Sequence, residues 1–148
     1  MVYGHDAAVA RWVAERIPHV AGGDFGPCAA LGVVNGAGGL VAGAVFHDWQ
    51  AAAGTLQVSM AAATRVWARP AVLETLFFYA FATVGANKLW TATPHTSAAV
   101  VRFNEHIGMT REAVLRHHFG PKRHAVVCSM LRSEWERSRW HLPARAAA

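Results

Sequence analysis

Apolar positions recur at helical spacing in three stretches of the chain, with β-rich runs set between them. Val9, Trp12, Val13 and Ile17 form the first stripe, Asp6 stands where an N-cap belongs, and Pro18 ends the run. A Gly/Pro-rich loop, Ala21 to Pro27, leads into a predicted strand from Cys28 to Val34. Asn35-Gly36-Ala37-Gly38-Gly39 has hairpin chemistry, because several of its residues tolerate positive φ. Leu40 to Phe46 is then the return strand, and Thr55 to Met60 a third antiparallel member. The longest predicted helix runs from about Arg69 to Val84, with Leu73, Leu76, Phe77, Ala80, Phe81 and Val84 at i, i+3, i+4 spacing. Pro70 sits in its first turn, where a missing N–H costs nothing, and Gly85 supplies the stop. Strand Lys88–Thr93 follows, and a strand-helix-strand unit implies a right-handed parallel crossover. A third helix carries Val100, Phe103 and Ile107 on one face and stops at Gly108. Two further strands, joined by a turn around Gly120-Pro121, close the pattern.

Neither an internal repeat nor an interdomain linker interrupts this order, so the 148 residues are expected to form one domain, with about 133–148 as a terminal helix and frayed tail. At 53% hydrophobic residues the chain can bury a core unaided, which excludes a disordered chain. No apolar run reaches the ~18 residues that span a bilayer. The first residues, MVYGHDAAVARWVAERIP, carry charges where a secretory leader would be apolar, so a cytoplasmic location is expected. In that setting Cys28 and Cys128 are expected to be free thiols. The net charge of +5 attracts nucleic acid, anionic lipid or an acidic small molecule. Much of it lies in Arg132, Arg137, Arg139 and Arg145, a solvated end, without the interleaved aromatics that single-strand binders use.

The segment KLWTATPHTSAAVVRFNEHIGMTREAVLRHHFGPKRHAVVCSML, from Lys88 to Leu131, carries a family likeness. Its "FNEHIGMTREAVLR" core resembles the "YEKLGFxxEGxxR" segment that ends the cofactor-binding core of the GCN5-related N-acetyltransferases (GNAT). The likeness extends over nearly the whole order of elements, and most resembles small phage- and prophage-encoded members. It implies an α/β fold: a mixed, mostly antiparallel sheet with a central splayed parallel pair, flanked by helices. It also implies acetyl transfer from acetyl-CoA to a primary amine, no metal, and a possible homodimer. The competing reading is a catalytically lapsed binding or scaffolding module.

Family members hold the pyrophosphate of acetyl-CoA on a loop of pattern Q/R-x-x-G-x-G/A before the central helix. The matching positions here are Arg65, Val66, Trp67, Ala68, Arg69 and Pro70. Arg leads, Ala68 replaces the first Gly and Pro70 removes a donor, so Arg65 and Arg69 are expected to bind phosphate through their guanidinium groups. Trp67 is a candidate cover for the ligand. The resemblance places Ser59, Met60 and Ala61 beside the pantetheine arm. The family's helix Asn and its Tyr, seven residues later, fall on Ser97 and Asn104. Asn104 can donate a hydrogen bond to the thiolate or thioester but cannot protonate it. The strand Glu that many members use as a base is missing. His47 and His95 are the titratable candidates, with His95 preferred because it leaves the parallel strand toward the cofactor. Glu112 matches a structural Glu of the motif and is expected to pair with a cation such as Arg116. His117, His118 and His124 do not make a metal site on this reading, because neighbours in a strand face opposite ways.

Overall fold

Alternate side chains of the first three strands go to opposite sides of one sheet, and each side has its own helices. The structure, a computed structural model, describes residues 1–20 and 23–142; the expectations at 21–22 and for the tail at 143–148, Arg145 included, lie outside the described residues. The strands are β1 (Cys28–Val34), β2 (Leu40–Gln50), β3 (Thr55–Ala62), β4 (Lys88–Pro94), β5 (Thr110–Leu115) and β6 (Ala125–Leu131). They form one six-stranded sheet in the order β1-β2-β3-β4-β6-β5. Among the described residues, β3 and β4 are the one parallel pair. Helix α1 (Asp6–Ala14) covers one face, where Val9 and Val13 pack on Ala30 and Val45. Helices α2 (Pro70–Phe78) and α3 (Ala98–His106) cover the other, over Ala44, Phe46, Leu56 and Val58.

Helix α1 reaches the sheet because Gly32 and Gly43 lie opposite one another in β1 and β2. A Cβ on Gly43 would stand 2.7 Å from Val13 Cγ2 and 3.0 Å from Val9 Cγ1. Both neighbours are β-branched and stiff, so neither can turn away. Asp6 does not cap this helix: His5 is the N-cap residue, and Asp6 instead accepts a hydrogen bond from the Ala30 amide at 2.8 Å, tying the helix start to β1.

Helix α2 continues as a wide π turn, Tyr79–Val84, and ends at Gly85, whose φ of 86° is the left-handed conformation that the stop requires. In the last turn the Phe81 carbonyl takes a hydrogen bond from the Arg132 guanidinium, which supplies the partner a helix end lacks. The expected terminal helix is short: α4 spans Arg132–Glu136. It is docked rather than solvated, because Trp135 stacks on Phe81 and Trp140 on Phe77, both indoles buried. Trp140 Nε1 also donates to the Ile107 carbonyl at the end of α3 (2.6 Å), so a single indole ties α2 to α3.

The buried stripe of α3 is turned from the expected one. Val100 is 49% exposed, whereas Val101 and Asn104 are 3% and 8% exposed and Ile107 is also buried. Cys28 and Cys128 are both free, the first half-buried and the second fully buried. Replacing Gly43 by Ala should lower stability by about 1–3 kcal/mol, the usual cost of overpacking against rigid neighbours. A urea midpoint unchanged from the parent would show that α1 does not need this close approach.

Candidate active site

β3 and β4 pair at three positions only: Thr55 with Lys88, Leu56 with Leu89 and Gln57 with Trp90. Beyond them β3 stays with β2 and β4 stays with β6. Residues 58–62 and 91–94 therefore face each other with backbone groups free of strand pairing, which can take an extended amide between them. The gap opens into a cavity of about 250 Å3 lined from both sides of the sheet. Ile17, Pro18 and His19, after α1, form one wall, and Leu73, Phe77 and Ile107 of the α2 and α3 side form the other.

Each side of the gap carries polar chemistry. Ser59 lines the cavity and faces the α1 side; His47 faces the same side behind it, with Nε2 2.9 Å from Ser59 Oγ. Burial holds the His47 imidazole below its ordinary pKa, against the weaker opposing pull of Asp48. At neutral pH the ring is uncharged and able to accept a proton. On the opposite side Asn104 lies inside the helix–sheet layer and lines the cavity, donating a long 3.4 Å hydrogen bond to Thr93 Oγ1. Met60 and Ser97 also line the cavity, whereas Ala61 packs with the residues under α1.

No family model matches the chain, and no curated protein matches it in sequence. Solved structures do match it in shape. The dodecameric spermidine N-acetyltransferase from Vibrio cholerae superposes with a TM-score of 0.67 at 13% identity, over 76% of this chain and 69% of that one. A chimeric form of that enzyme gives 0.64 at 13% identity, over 73% and 69%. A probable acetyltransferase gives 0.58 at 20% identity, over 66% and 59%. This chain has the GNAT fold. The splayed β3–β4 pair is the feature of that fold which the sequence resemblance implied.

The loop ahead of α2 matches the GNAT phosphate position only in part. Residues Arg65–Trp67 form a short 3-10 turn, capped by Thr64 Oγ1 accepting from the Val66 amide (3.3 Å). The Val72 and Leu73 amides point at the Arg69 carbonyl, and Pro70 has no N–H. Fewer backbone donors are left for an anion, but Arg65 and Arg69 are exposed and form no ion pair among the described residues. The residues present fit a pyrophosphate held mainly by guanidinium groups. Trp67 does not stand free over the loop; its ring meets Phe103 of α3, with centroids 5.8 Å apart, and Ala68 packs beside it against the core.

His95 is exposed in the turn after β4 and lines an adjoining hollow, not the cavity in the gap. Glu112 pairs with Lys88 (2.7 Å) and takes a hydrogen bond from Ser129 (2.9 Å), not from Arg116. The Lys88 hydrogen bond is the main reason its carboxyl sits below the usual range. His117 and His118 lie in a turn rather than in a strand, and no group of His, Cys, Asp or Glu able to hold a metal ion occurs among the described residues. The wall from Ile17 to His19 was missed by sequence reasoning. Its only trace there is a proline ending an amphipathic helix, followed by a histidine.

His19 is held below its ordinary pKa by burial first, then by the charges of His118 and Arg123. With His47 it makes the fold sensitive to acid. Both native pKa values lie below the unfolded value of 6.5, so the unfolded chain takes up protons first as pH drops through 6.5. Stability should be full above that pH, decline below it and level off under the native values. The urea midpoint between pH 7.5 and 5 measures this, and His47→Gln should flatten part of the slope.

Proposed function

We propose that the protein is an N-acetyltransferase that moves an acetyl group from acetyl-CoA to a primary amine by direct transfer. The observation that carries this reading is the splayed β3–β4 pair opening into a cavity that reaches both faces of the sheet. The free edges at 58–62 and 91–94 suit the amide-bearing arm of acetyl-CoA, and Arg65 and Arg69 suit its phosphates. The GNAT-fold neighbours include enzymes named for acetylating spermidine, which supports an amine as acceptor.

In this reading the amine approaches from the α1 side, beside Ser59. As its nitrogen bonds to the acetyl carbon and the carbon–sulfur bond breaks, the amine proton passes to Ser59 Oγ and the Ser59 proton passes to His47 Nε2. A neutral His47 suits that role. Backbone N–H groups of β3 are available to the carbonyl oxygen as charge develops on it. From the other side Asn104 offers an N–H to the leaving sulfur. The role given first to His95 passes in this proposal to His47, because Ser59 connects His47 to the cavity.

Isothermal titration with acetyl-CoA tests the cofactor half of the proposal. Arg65→Ala should weaken binding about tenfold or more, as expected for loss of a charge-assisted hydrogen bond. A folded protein that binds no acetyl-CoA would leave the binding-module reading in its place. The chemical half is read from kinetics. His47→Gln should lower kcat/KM by about 10²-fold, the lower end of general-base effects, with acetyl-CoA affinity unchanged. It should also remove the acid limb of the pH profile. A variant that keeps the parent rate and profile rules His47 out as the base.

A further inference from the structure

The cavity in the strand gap has a neighbour on the other side of His19. A second hollow of about 340 Å3 shares Pro18, His19, Pro94 and Ser97 with it. Its far wall is the β5–β6 hairpin, which contributes Phe119, Lys122, Arg123 and His124. That hairpin is tied into one shape. The His117 amide donates to His124 Nδ1 (3.0 Å), the Phe119 amide to the Arg123 carbonyl (2.9 Å), and the Arg123 amide to the Gly120 carbonyl (3.0 Å). The turn after β4 is joined to it by the His95 amide donating to the His124 carbonyl (3.0 Å). The His19 ring lies 4.1 Å from the Phe119 ring and closes the corner.

The charge of this hollow has one sign. The chain carries no Asp or Glu between Glu74 and Glu105, and none between Glu112 and Glu134, so the β4–α3 turn and the turn between β5 and β6 are free of carboxylates, and the one carboxylate of the hairpin strands, Glu112, is paired with Lys88. No Asp or Glu lines the hollow, and Lys122 and Arg123 form no ion pair among the described residues. The nearest carboxylate in the sequence before His19 is Glu15, which is exposed and sits 3.8 Å from Arg16. The same positive field contributes to the lowered pKa of His19, where His118 and Arg123 add to burial.

We infer that this hollow binds an anionic group of the acceptor, so that the substrate is a small primary amine that also carries a phosphate or carboxylate. The amine end then extends past the shared residues His19 and Ser97 toward Ser59, while Lys122 and Arg123 hold the acid. The inference rests on the acetyl-transfer reading for the amine, but anion binding stands on the hollow itself. It separates this chain from its GNAT-fold neighbours named for spermidine. A polyamine would bring positive charge against Lys122 and Arg123, a repulsive element that discriminates against it.

The test is an NMR titration of the imidazole signals of His19, His95 and His124 with four probes: O-phosphoethanolamine, β-alanine, ethanolamine and spermidine. The anionic amines should shift these signals and bind at least tenfold more tightly than ethanolamine. The order of the first two tells phosphate from carboxylate. A Lys122→Gln, Arg123→Gln double variant, altered at exposed side chains only, should lose that preference. Spermidine or ethanolamine shifting the same signals equally, anionic amines leaving them unmoved, or an unchanged double variant would each overturn the inference. Acetyl-CoA titration of the same sample reports separately on the catalytic reading. Anion binding without acetyl-CoA binding sinks the transferase and keeps the hollow, and the reverse sinks only the hollow.

Discussion

The three-residue ladder between β3 and β4 is the constraint on which the rest depends. Each of these strands has a full antiparallel partner on its outer edge, β2 for one and β6 for the other, and those partners keep the gap from closing. A longer ladder would pair the backbone groups of 58–62 and 91–94 and erase the cavity. A shorter one would part the sheet into two antiparallel halves, β1-β2-β3 and β4-β6-β5. Parallel pairing is slightly weaker per residue than antiparallel, and here it is brief. The helices on the α2 and α3 side therefore share the work of holding the halves together, through apolar contacts of Leu56, Leu89 and Met130 across the join.

Much of this order was legible along the chain because it is written in local signals. Pro70 and Gly85 bracket the long helix, Asn35 to Gly39 turn the first hairpin, and the β-rich run at Lys88 meets its parallel partner as the crossover rule requires. The phase of α3 was not legible. Val100, Phe103, Ile107 and Val101, Asn104, Ile107 both fit helical spacing, and only the first triplet is wholly apolar. The buried set includes Asn104 because Thr93 and the cavity lie beneath it, which no pattern within the helix reports.

Partners far apart in sequence were equally hidden. His47 reaches Ser59 diagonally across β2 and β3, since its direct partner is Gln57, and that register is set by an irregularity between His47 and Gln50. Neither residue type forecasts such a shift; Asp48 accommodates it with a φ of 54°. Lys88 took the place of Arg116 beside Glu112 for a related reason. β5 lies beyond β6, and β6 pairs with β4, which brings the start of β4 near Glu112 while the sequence offers the nearer arginine. The basic C-terminal stretch suggested a solvated end on charge alone, and the two tryptophans within it decided otherwise.

Those tryptophans bear on the timing of assembly. Synthesis runs from the N-terminus, and domains generally fold as units. Every strand of the sheet leaves the ribosome before Trp135 and Trp140. Until they arrive, the rings of Phe77 and Phe81 lack their indole neighbours and the Ile107 carbonyl lacks its indole donor. A nascent chain thus has all six strands in its sequence before the contacts that join α2 to α3 are available. A stalled or nicked product ending short of Trp140 would keep all six strands and lack the indole that ties α2 to α3.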